Sequence, residues 1–352
     1  MKALSLFANV GVGECYLEEN GIEVVVANEF LEDRAEFYRK LYPNTNMICG
    51  DITDPGVYSR VKQAAEGVDL IIATPPCQGM SIAHAKRANK NDPRNSLIKK
   101  VVDFINDLNP KYVLVENVAG MAKTFINHNG NPVLIMDYIK NNIPEHYTIN
   151  YKVLNASDYG TPQNRKRLIT LITREGRWVH PDPLPTKITV RQAIGHLPSI
   201  ESGDTTDISW HHGRKHNKNH ILWMRHTSSG KSAFDNRVHF PKTIDKETGA
   251  LRRIKGFKTT YKRIDWDKPA PTVTMTNGSI NSQNNVHPGK PLGNGLYSDA
   301  RVLSVREILI LCGLPDNWLD DHQGQKETFV RKVLGECFPP KFSLAIIKNI
   351  GK

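Results

Sequence analysis

The sequence predicts an α/β protein: a doubly wound, mainly parallel sheet carrying a smaller, irregular second domain. Three observations lead there. Short apolar runs recur through the first half, at 3–7, 23–27, 69–73, 112–115 and 168–173. Segments with helical spacing, such as 35–41 and 97–108, lie between them, and such alternation reads as parallel strands with crossover helices. After about residue 185 the pattern stops. Pro181, Pro183 and Pro185 mark a linker, and the stretch beyond is polar and rich in His, Lys, Asn and Gly. Helical spacing returns at 304–311 and 342–350. The expected organisation is a first domain over 1–185, a second over 186–325, and a segment, 326–352, that returns to the first.

Each element carries its own signal. The run 3–7 meets Asn9 and then Glu14, Glu18 and Glu19, which favours an opening strand over a signal peptide. It leads into Phe7, Ala8, Asn9, Val10, Gly11, Val12 and Gly13, with a helix expected next; a glycine turn between strand and helix lets backbone amides approach a ligand. Glu29 ends the second strand, where an acid accepts bonds from ribose hydroxyls. Asp51 and Ile52 follow the next candidate strand, where a carboxylate meets an adenine amino group. Three such features in sheet order predict an adenosine-containing cofactor.

The run 69–73 ends in Thr-Pro-Pro-Cys-Gln-Gly-Met-Ser at 74–81. Two prolines fix φ and remove two donors, so the chain there is stiff. Its thiol, Cys77, falls at the carboxyl edge of the sheet, where ligands of open α/β sheets bind. A stiff loop holding one thiol suits a nucleophile. Glu116 and Asn117 follow the strand at 112–115, and Gln163, Arg165 and Arg167 precede the strand at 168–173.

Composition narrows the partners. The 352 residues carry 47 Lys+Arg against 36 Asp+Glu, a formal charge of +11, which favours a polyanion, nucleic acid before membrane. Five cysteines, at 15, 49, 77, 312 and 337, show no CxxC spacing, which argues against a disulfide framework or a cysteine zinc site and fits a reducing cytoplasm. Cys15, Cys49 and Cys312 are expected as small core residues and Cys337 as a packing residue. No apolar run reaches the ~18–20 residues of a membrane span.

The sequence strongly resembles the cytosine carbon-5 DNA methyltransferases of bacterial or phage type. The match comprises the Pro-Pro-Cys-Gln loop, the Glu-Asn-Val at 116–118, the Gln-x-Arg-x-Arg at 163–167 and the Pro-Thr-Val-Thr at 271–274. It continues with Arg-Val-Leu-Ser-Val-Arg-Glu at 301–307, running into Gly-Leu-Pro-Asp-Asn-Trp at 313–318. These occur in the family's order and span nearly the whole chain. The resemblance implies a Rossmann-like methyltransferase domain with a target-recognition domain, S-adenosylmethionine as cofactor and duplex DNA as partner.

It also implies residue roles. Cys77, as thiolate, adds to carbon 6 of cytosine. Glu116 holds or protonates ring nitrogen 3. Arg165 binds the pyrimidine carbonyl, and Arg167 orders the nucleotide and the site. Carbon 5 then attacks the methyl group, and loss of its proton and of Cys77 ends the turnover. The target base has to leave the stack to reach the pocket. Phe7, Asn9, Gly11, Glu29 and Phe30 fall at cofactor positions, as do Asp51, Ile52, Pro75, Leu97 and Glu336. Gln78, Ser81, Lys86, Arg87 and Arg94 lie in the stretch 81–100 or just before it; its basic residues include Lys99 and Lys100, Asp92 is its only acid, and it is expected to close on the DNA backbone as a mobile lid. In the recognition stretch 188–299, Arg214, Lys215, Arg225 and Thr272 are expected to meet DNA.

The chain departs from the pattern in two places. Asn9 and Val12 stand where the family keeps glycines; Asn tolerates positive φ, but β-branched Val12 does not, so the turn there has to take a different path. Glu336 replaces an asparagine that lines the cofactor site, which implies weaker cofactor affinity. His212, His216 and His220 share a four-residue spacing, but Gly213 and the neighbouring asparagines argue against a helix, and no metal is expected.

Three alternatives fit these residues less well. An exocyclic amino-methyltransferase would place an acid or amide before Pro-Pro and an aromatic after it, where this chain has Thr74 and Cys77. A non-catalytic DNA-binding regulator would not need Cys77, Glu116, Arg165 and Arg167 together. An RNA cytosine methyltransferase is disfavoured by the large recognition region. A cytoplasmic, nucleoid-associated monomer is expected, with a cognate restriction endonuclease acting separately.

Overall fold

The computed structural model describes residues 1–76, 92–245 and 247–351. The strands β1 (Lys2–Leu6), β2 (Glu23–Glu29), β3 (Asn46–Cys49), β4 (Leu70–Ala73) and β5 (Tyr112–Asn117) pair in parallel. A small hairpin follows, β6 (Phe125–His128) with β7 (Asn131–Leu134). The sheet is then completed by β8 (Thr148–Asn155) and β9 (Lys166–Thr173), β9 running antiparallel to both β5 and β8. The order is β3-β2-β1-β4-β5-β9-β8. Because the order reverses between β2 and β4 around β1, a crevice opens at the carboxyl ends of these strands.

Alternate residues of the strands feed two cores, as the two-residue period of a strand requires. Leu4, Leu6, Val26, Ile71 and Val113 pack with α2 (Pro55–Ala64), α3 (Ile98–Leu108) and α4 (Ile135–Asn142). Ala8, Ala27 and Met47 face the other way, against Ala35 and Tyr38 of α1 (Glu32–Leu41). Helices thus cover both faces, as expected. Asp54 starts α2 by accepting from the Gly56 and Val57 amides, with Pro55 at the first helical position.

The chain divides into two compact units. One comprises Met1–Ala156, Lys166–Pro183 and Pro340–Lys352; the other comprises Ser157–Arg165 and Leu184–Pro339. The expected boundaries at 185 and 325 therefore differ from these in two ways. Ser157–Arg165 belongs with the second unit, and that unit runs on to Pro339. The reason for the latter is α8 (Glu327–Glu336), whose Arg331 donates to Asn277 and to the Leu303 carbonyl. In the second unit, α5 (Val190–Ile194), α6 (Lys218–Arg225) and α7 (Val305–Leu311) are joined by long irregular connections that include the short ribbons β10 (Lys242–Ile244)–β11 (Leu251–Arg253) and β12 (Pro291–Gly293)–β13 (Leu296–Tyr297). The C-terminal helix α9 (Pro340–Ile347) returns to the first unit.

The structure corrects four local expectations. Where a helix was expected after Gly13, the chain makes two 3-10 turns, Val12–Glu14 and Glu18–Asn20. Lys99 and Lys100 stand on α3 rather than in a loop, because residues 98–105 present an apolar stripe to the core. The argument against a helix at the spaced histidines fails for His220, which stands on α6, and holds for the other two: His212 lies 3.5 Å from Glu327, and His216 accepts the Val302 amide. Cys15 and Cys49 are half-buried rather than core residues, whereas Cys312 and Cys337 are buried.

Candidate active site

In the first unit, the residues expected to meet the cofactor gather at the carboxyl ends of β1 to β4. Leaving β1, the chain takes positive φ at Phe7 (59°), Asn9 (53°) and Gly11 (74°) and then drops into the 3-10 turn at Val12. That is the different path required of a β-branched residue: Val12 avoids the left-handed region, and the flanking Asn9 and Gly11 absorb it. Thr74, after β4, donates its hydroxyl to the Phe7 carbonyl at 3.0 Å. Glu29, at the end of β2, accepts from the Asn9 amide (2.9 Å) with one oxygen and from the Leu31 amide (3.0 Å) with the other. Its carboxylate therefore ties the loop to β2, a structural role that its place at a strand end does not reveal.

Beside it, the Phe30 ring is 64% exposed, an unusual position for an aromatic and a flat surface suited to stacking. Asp51 follows β3 and is exposed, with one oxygen accepting from the Thr53 amide and hydroxyl. The Ile52 side chain is in the core, so what it can offer a ligand is backbone. Pro75 is buried, its carbonyl accepting from the Asn117 side chain at 3.0 Å, and Leu97 is half-buried against the same core. An exposed ring, two carboxylates and a turn of left-handed residues along one sheet edge fit an adenosine-bearing cofactor. Glu336 closes α8 in the second unit.

The residues expected to be catalytic, Glu116 and Arg167, stand on β5 and β9. Glu116 is only 8% exposed, and the Arg167 Nε sits 2.7 Å from its Oε1 across the two antiparallel strands. Arg167 also donates to the Lys166 carbonyl. The sequence reading placed both residues in the site but missed that they pair. Asn117 fixes the loop after β4 through Pro75, two residues before Cys77. Cys77 itself lies outside the described residues, as do Gln78, Ser81, Lys86 and Arg87, and with them most of the expected lid.

Arg165 belongs to the second unit. It is 2% exposed, and its guanidinium donates to the backbone carbonyls of Val273 (3.0 Å) and Gly335 (3.1 Å) within the second unit. A buried guanidinium has five donors to satisfy, and here main-chain acceptors take two of its nitrogens. Neighbouring Gln163 is buried too, bridging the Leu311 carbonyl and the Val273 amide. The Thr272 hydroxyl is bound to the Asn164 carbonyl at 2.7 Å, which directs it to its own chain. Among the other expected DNA contacts, Arg94 forms a double hydrogen bond to Asp92, Arg225 lies 3.8 Å from Glu201, the Arg214 guanidinium passes over Gly278, and Lys215 is exposed.

The second unit is organised around buried charge. Arg301, fully buried, makes two bonds to Glu307 and one to Asp299. Ser304 caps α7, its hydroxyl and the Glu307 carboxylate forming a reciprocal capping box. This explains the spacing of the 301–307 motif: one glutamate serves both the cap and the arginine. Burial pushes the Glu307 carboxyl up, but Arg301 and His287 outweigh it and hold the group far below the usual carboxylate range. Arg263, also fully buried, donates to the carbonyls of Met224, His287, Ser298 and Asp299.

A strand order of this kind, with β9 reversed among otherwise parallel strands and a ligand-ready carboxyl edge, is a Rossmann-like doubly wound fold. Solved structures share the fold. An Entamoeba histolytica methyltransferase, EhMeth, aligns with a TM-score of 0.64 at 15% identity, covering 99% of this chain and 96% of that one. The Dnmt2 methyltransferase of S. pombe aligns at 0.62 and 13% identity, covering 100% and 98%. The chain belongs to the C-5 cytosine-specific DNA methylase family, whose model matches residues 1–352. It is 45% identical to the Type II methyltransferase M1.HgaI of Avibacterium volantium, over 99% of this chain and 96% of that protein. It is 28% identical to M1.HphI of Haemophilus parahaemolyticus, over 99% and 86%. The protein is thus an S-adenosylmethionine-dependent DNA (cytosine-5) methyltransferase. Among the described residues, no helix is long and apolar enough to cross a membrane.

Proposed function

We propose that this chain methylates a flipped cytosine within a specific duplex sequence, through a transient bond from Cys77. The observation that supports it best is the Glu116–Arg167 pair on β5 and β9, at the sheet edge from which the Cys77 loop departs. The bound cofactor supplies an electrophilic methyl group, held by Phe7, Glu29, Phe30 and Asp51. The Cys77 sulfur adds its electron pair to carbon 6. Glu116 meets ring nitrogen 3 and steadies the charge that this addition pushes into the ring, while Arg167 fixes the direction of that carboxyl. Carbon 5 would then take the methyl group, the electron pair of the broken carbon–sulfur bond staying on the cofactor's sulfur. A base removes its proton, and the returning electron pair expels the thiolate.

Arg165 keeps to the second unit, where the main-chain carbonyls of Val273 and Gly335 hold it. The basic recognition unit holds duplex DNA through phosphates, with Arg214 and Lys215 among its cations. A monomer in a bacterial cytoplasm, partnered in function by a separate restriction endonuclease, completes the reading, and Glu336 weakens its hold on the cofactor.

Duplex DNA of mixed sequence carrying 5-fluorocytosine tests it. Fluorine cannot leave as a proton does, so the wild type with S-adenosylmethionine becomes trapped as a covalent adduct, and Cys77→Ala gives none. An adduct with Cys77→Ala, or trapping on RNA in preference to DNA, overturns the reading.

A further inference from the structure

One buried carboxyl beside the cofactor loop takes no part in the chemistry above. Glu14 ends the 3-10 turn Val12–Glu14 that continues the loop, and it is 7% exposed. Its Oε1 accepts the Ser5 hydroxyl of β1 at 2.6 Å, and its Oε2 accepts the Tyr38 phenol of α1. Among the described residues no cation pairs with it. The groups facing it are neutral hydroxyls; Tyr42 lies behind Tyr38, with ring centroids 4.9 Å apart, and Lys341, the charged residue of α9 packed on the same turn, is exposed.

The loop is gripped from α1 a second time. The Tyr42 hydroxyl donates to the Gly11 carbonyl at 2.7 Å. A Cβ at Gly11 would run into the Tyr42 ring and come within 2.8 Å of the Tyr38 ring. Tyr42 and Tyr38 together therefore set the height of the loop at Gly11, and Tyr38 also anchors its exit at Glu14. This arrangement occurs where Asn9 and Val12 have displaced glycines, so the turn cannot hold its shape by glycine conformations alone.

We propose that Glu14, bridging Ser5 and Tyr38, is the positioning residue of the cofactor loop: it fixes the direction in which the loop presents its backbone amides, and so sets cofactor affinity without touching the cofactor. The inference rests on the reading of the Phe7–Gly11 turn as the cofactor loop.

A pH signature follows. Burial, the dominant cause, lifts the Glu14 carboxyl from 4.5 to about 7, against the lowering effect of its bonds to Ser5 and Tyr38. The neutral acid is the form the fold favours. The stability this carboxyl contributes is full below its ordinary value of 4.5 and is lost as pH rises through about 7, when an unneutralised charge is left inside to strain the loop's anchor.

The test is calorimetric titration of S-adenosylmethionine into the full-length protein at several pH values between roughly 6 and 8.5, spanning the carboxyl's transition. Affinity of the wild type is expected to fall as pH rises through that interval. Glu14→Gln, a neutral isostere, is expected to bind with that slope removed. Glu14→Ala is expected to weaken binding about tenfold, raising KM for the cofactor while kcat at saturation changes far less. Tyr38→Phe, which keeps the ring, supplies the same comparison if the alanine variant does not fold, and is expected to weaken binding in the same direction. A Glu14→Gln protein with the wild-type pH slope overturns the inference, as does a folded Glu14→Ala or Tyr38→Phe protein with wild-type affinity. Asp51→Ala separates the two levels of failure. If it weakens binding while the Glu14 variants do not, this inference alone falls; if it too binds normally, the cofactor-site reading falls and takes the inference with it.

Discussion

Glu116 and Arg167 show what a single ion pair decides. The guanidinium is held by a main-chain carbonyl as well as by the carboxylate, so the acid faces one direction in the resting protein. Arg301 has a comparable place in the second unit, but with higher stakes, because Asp299 and Glu307 are both buried against it. Replacing it by Met leaves two carboxylates without their principal cation, and the expected loss is about 3–5 kcal/mol. Urea unfolding of Arg301→Met at neutral pH measures this, and a midpoint within error of the wild type contradicts it. At this scale the sequence was informative wherever a residue's job follows from its place on a strand. Glu29, Asp51 and Glu116 stand where the ends of apolar runs put them. It was uninformative for Arg165 and Thr272, since the direction of a side chain depends on acceptors more than a hundred positions away, at Val273, Gly335 and Asn164.

Among elements, the turn after β1 and the end of α8 are two of the places where the backbone itself is constrained. Gly335 precedes the last residue of α8, and a Cβ there would overlap the main chain of Thr274 and Met275. Backbone cannot swing aside as a side chain does. Gly335→Ala is expected to cost about 1–3 kcal/mol and to disturb the carbonyl that holds Arg165. Thermal unfolding with parallel activity measurement would show both losses; an unchanged melting temperature argues against the contact. The central strands were legible because they are buried on both faces and read as continuous apolar runs. The edge strand β8 was not, since most of its residues are exposed and its composition is mixed. The helix expected after Gly13 failed for a local reason: Glu14 is drawn inward to Ser5 and Tyr38, and the chain tightens into 3-10 turns around it.

For the molecule as a whole, two opposed titrations bound the range of stability. Glu14 is raised to about 7, so the stability it confers is present at acid pH and declines as pH climbs through that value. Asp299 and Glu307 go the other way. Burial alone would raise them, but His287 and Arg301 lower the first, and Arg301 and His287 the second. Their contribution is present above the ordinary carboxylate value of about 4 and is lost as pH falls toward their depressed values. Urea midpoints measured against pH are therefore expected to peak on the acid side of neutrality, between these limits, and Glu14→Gln is expected to flatten the alkaline limb. A wild-type profile that keeps rising beyond pH 8 would contradict this.

The path of the polypeptide through its two units has a further consequence. The chain passes from one to the other at 156–157, 165–166, 183–184 and 339–340, and the first excursion separates two strands hydrogen-bonded along their length, β8 and β9. No single scission can free either half, because every fragment so produced keeps a partner strand or helix embedded in the other's territory. A protease nick at 183–184 would give two bands on a denaturing gel and one species on a sizing column.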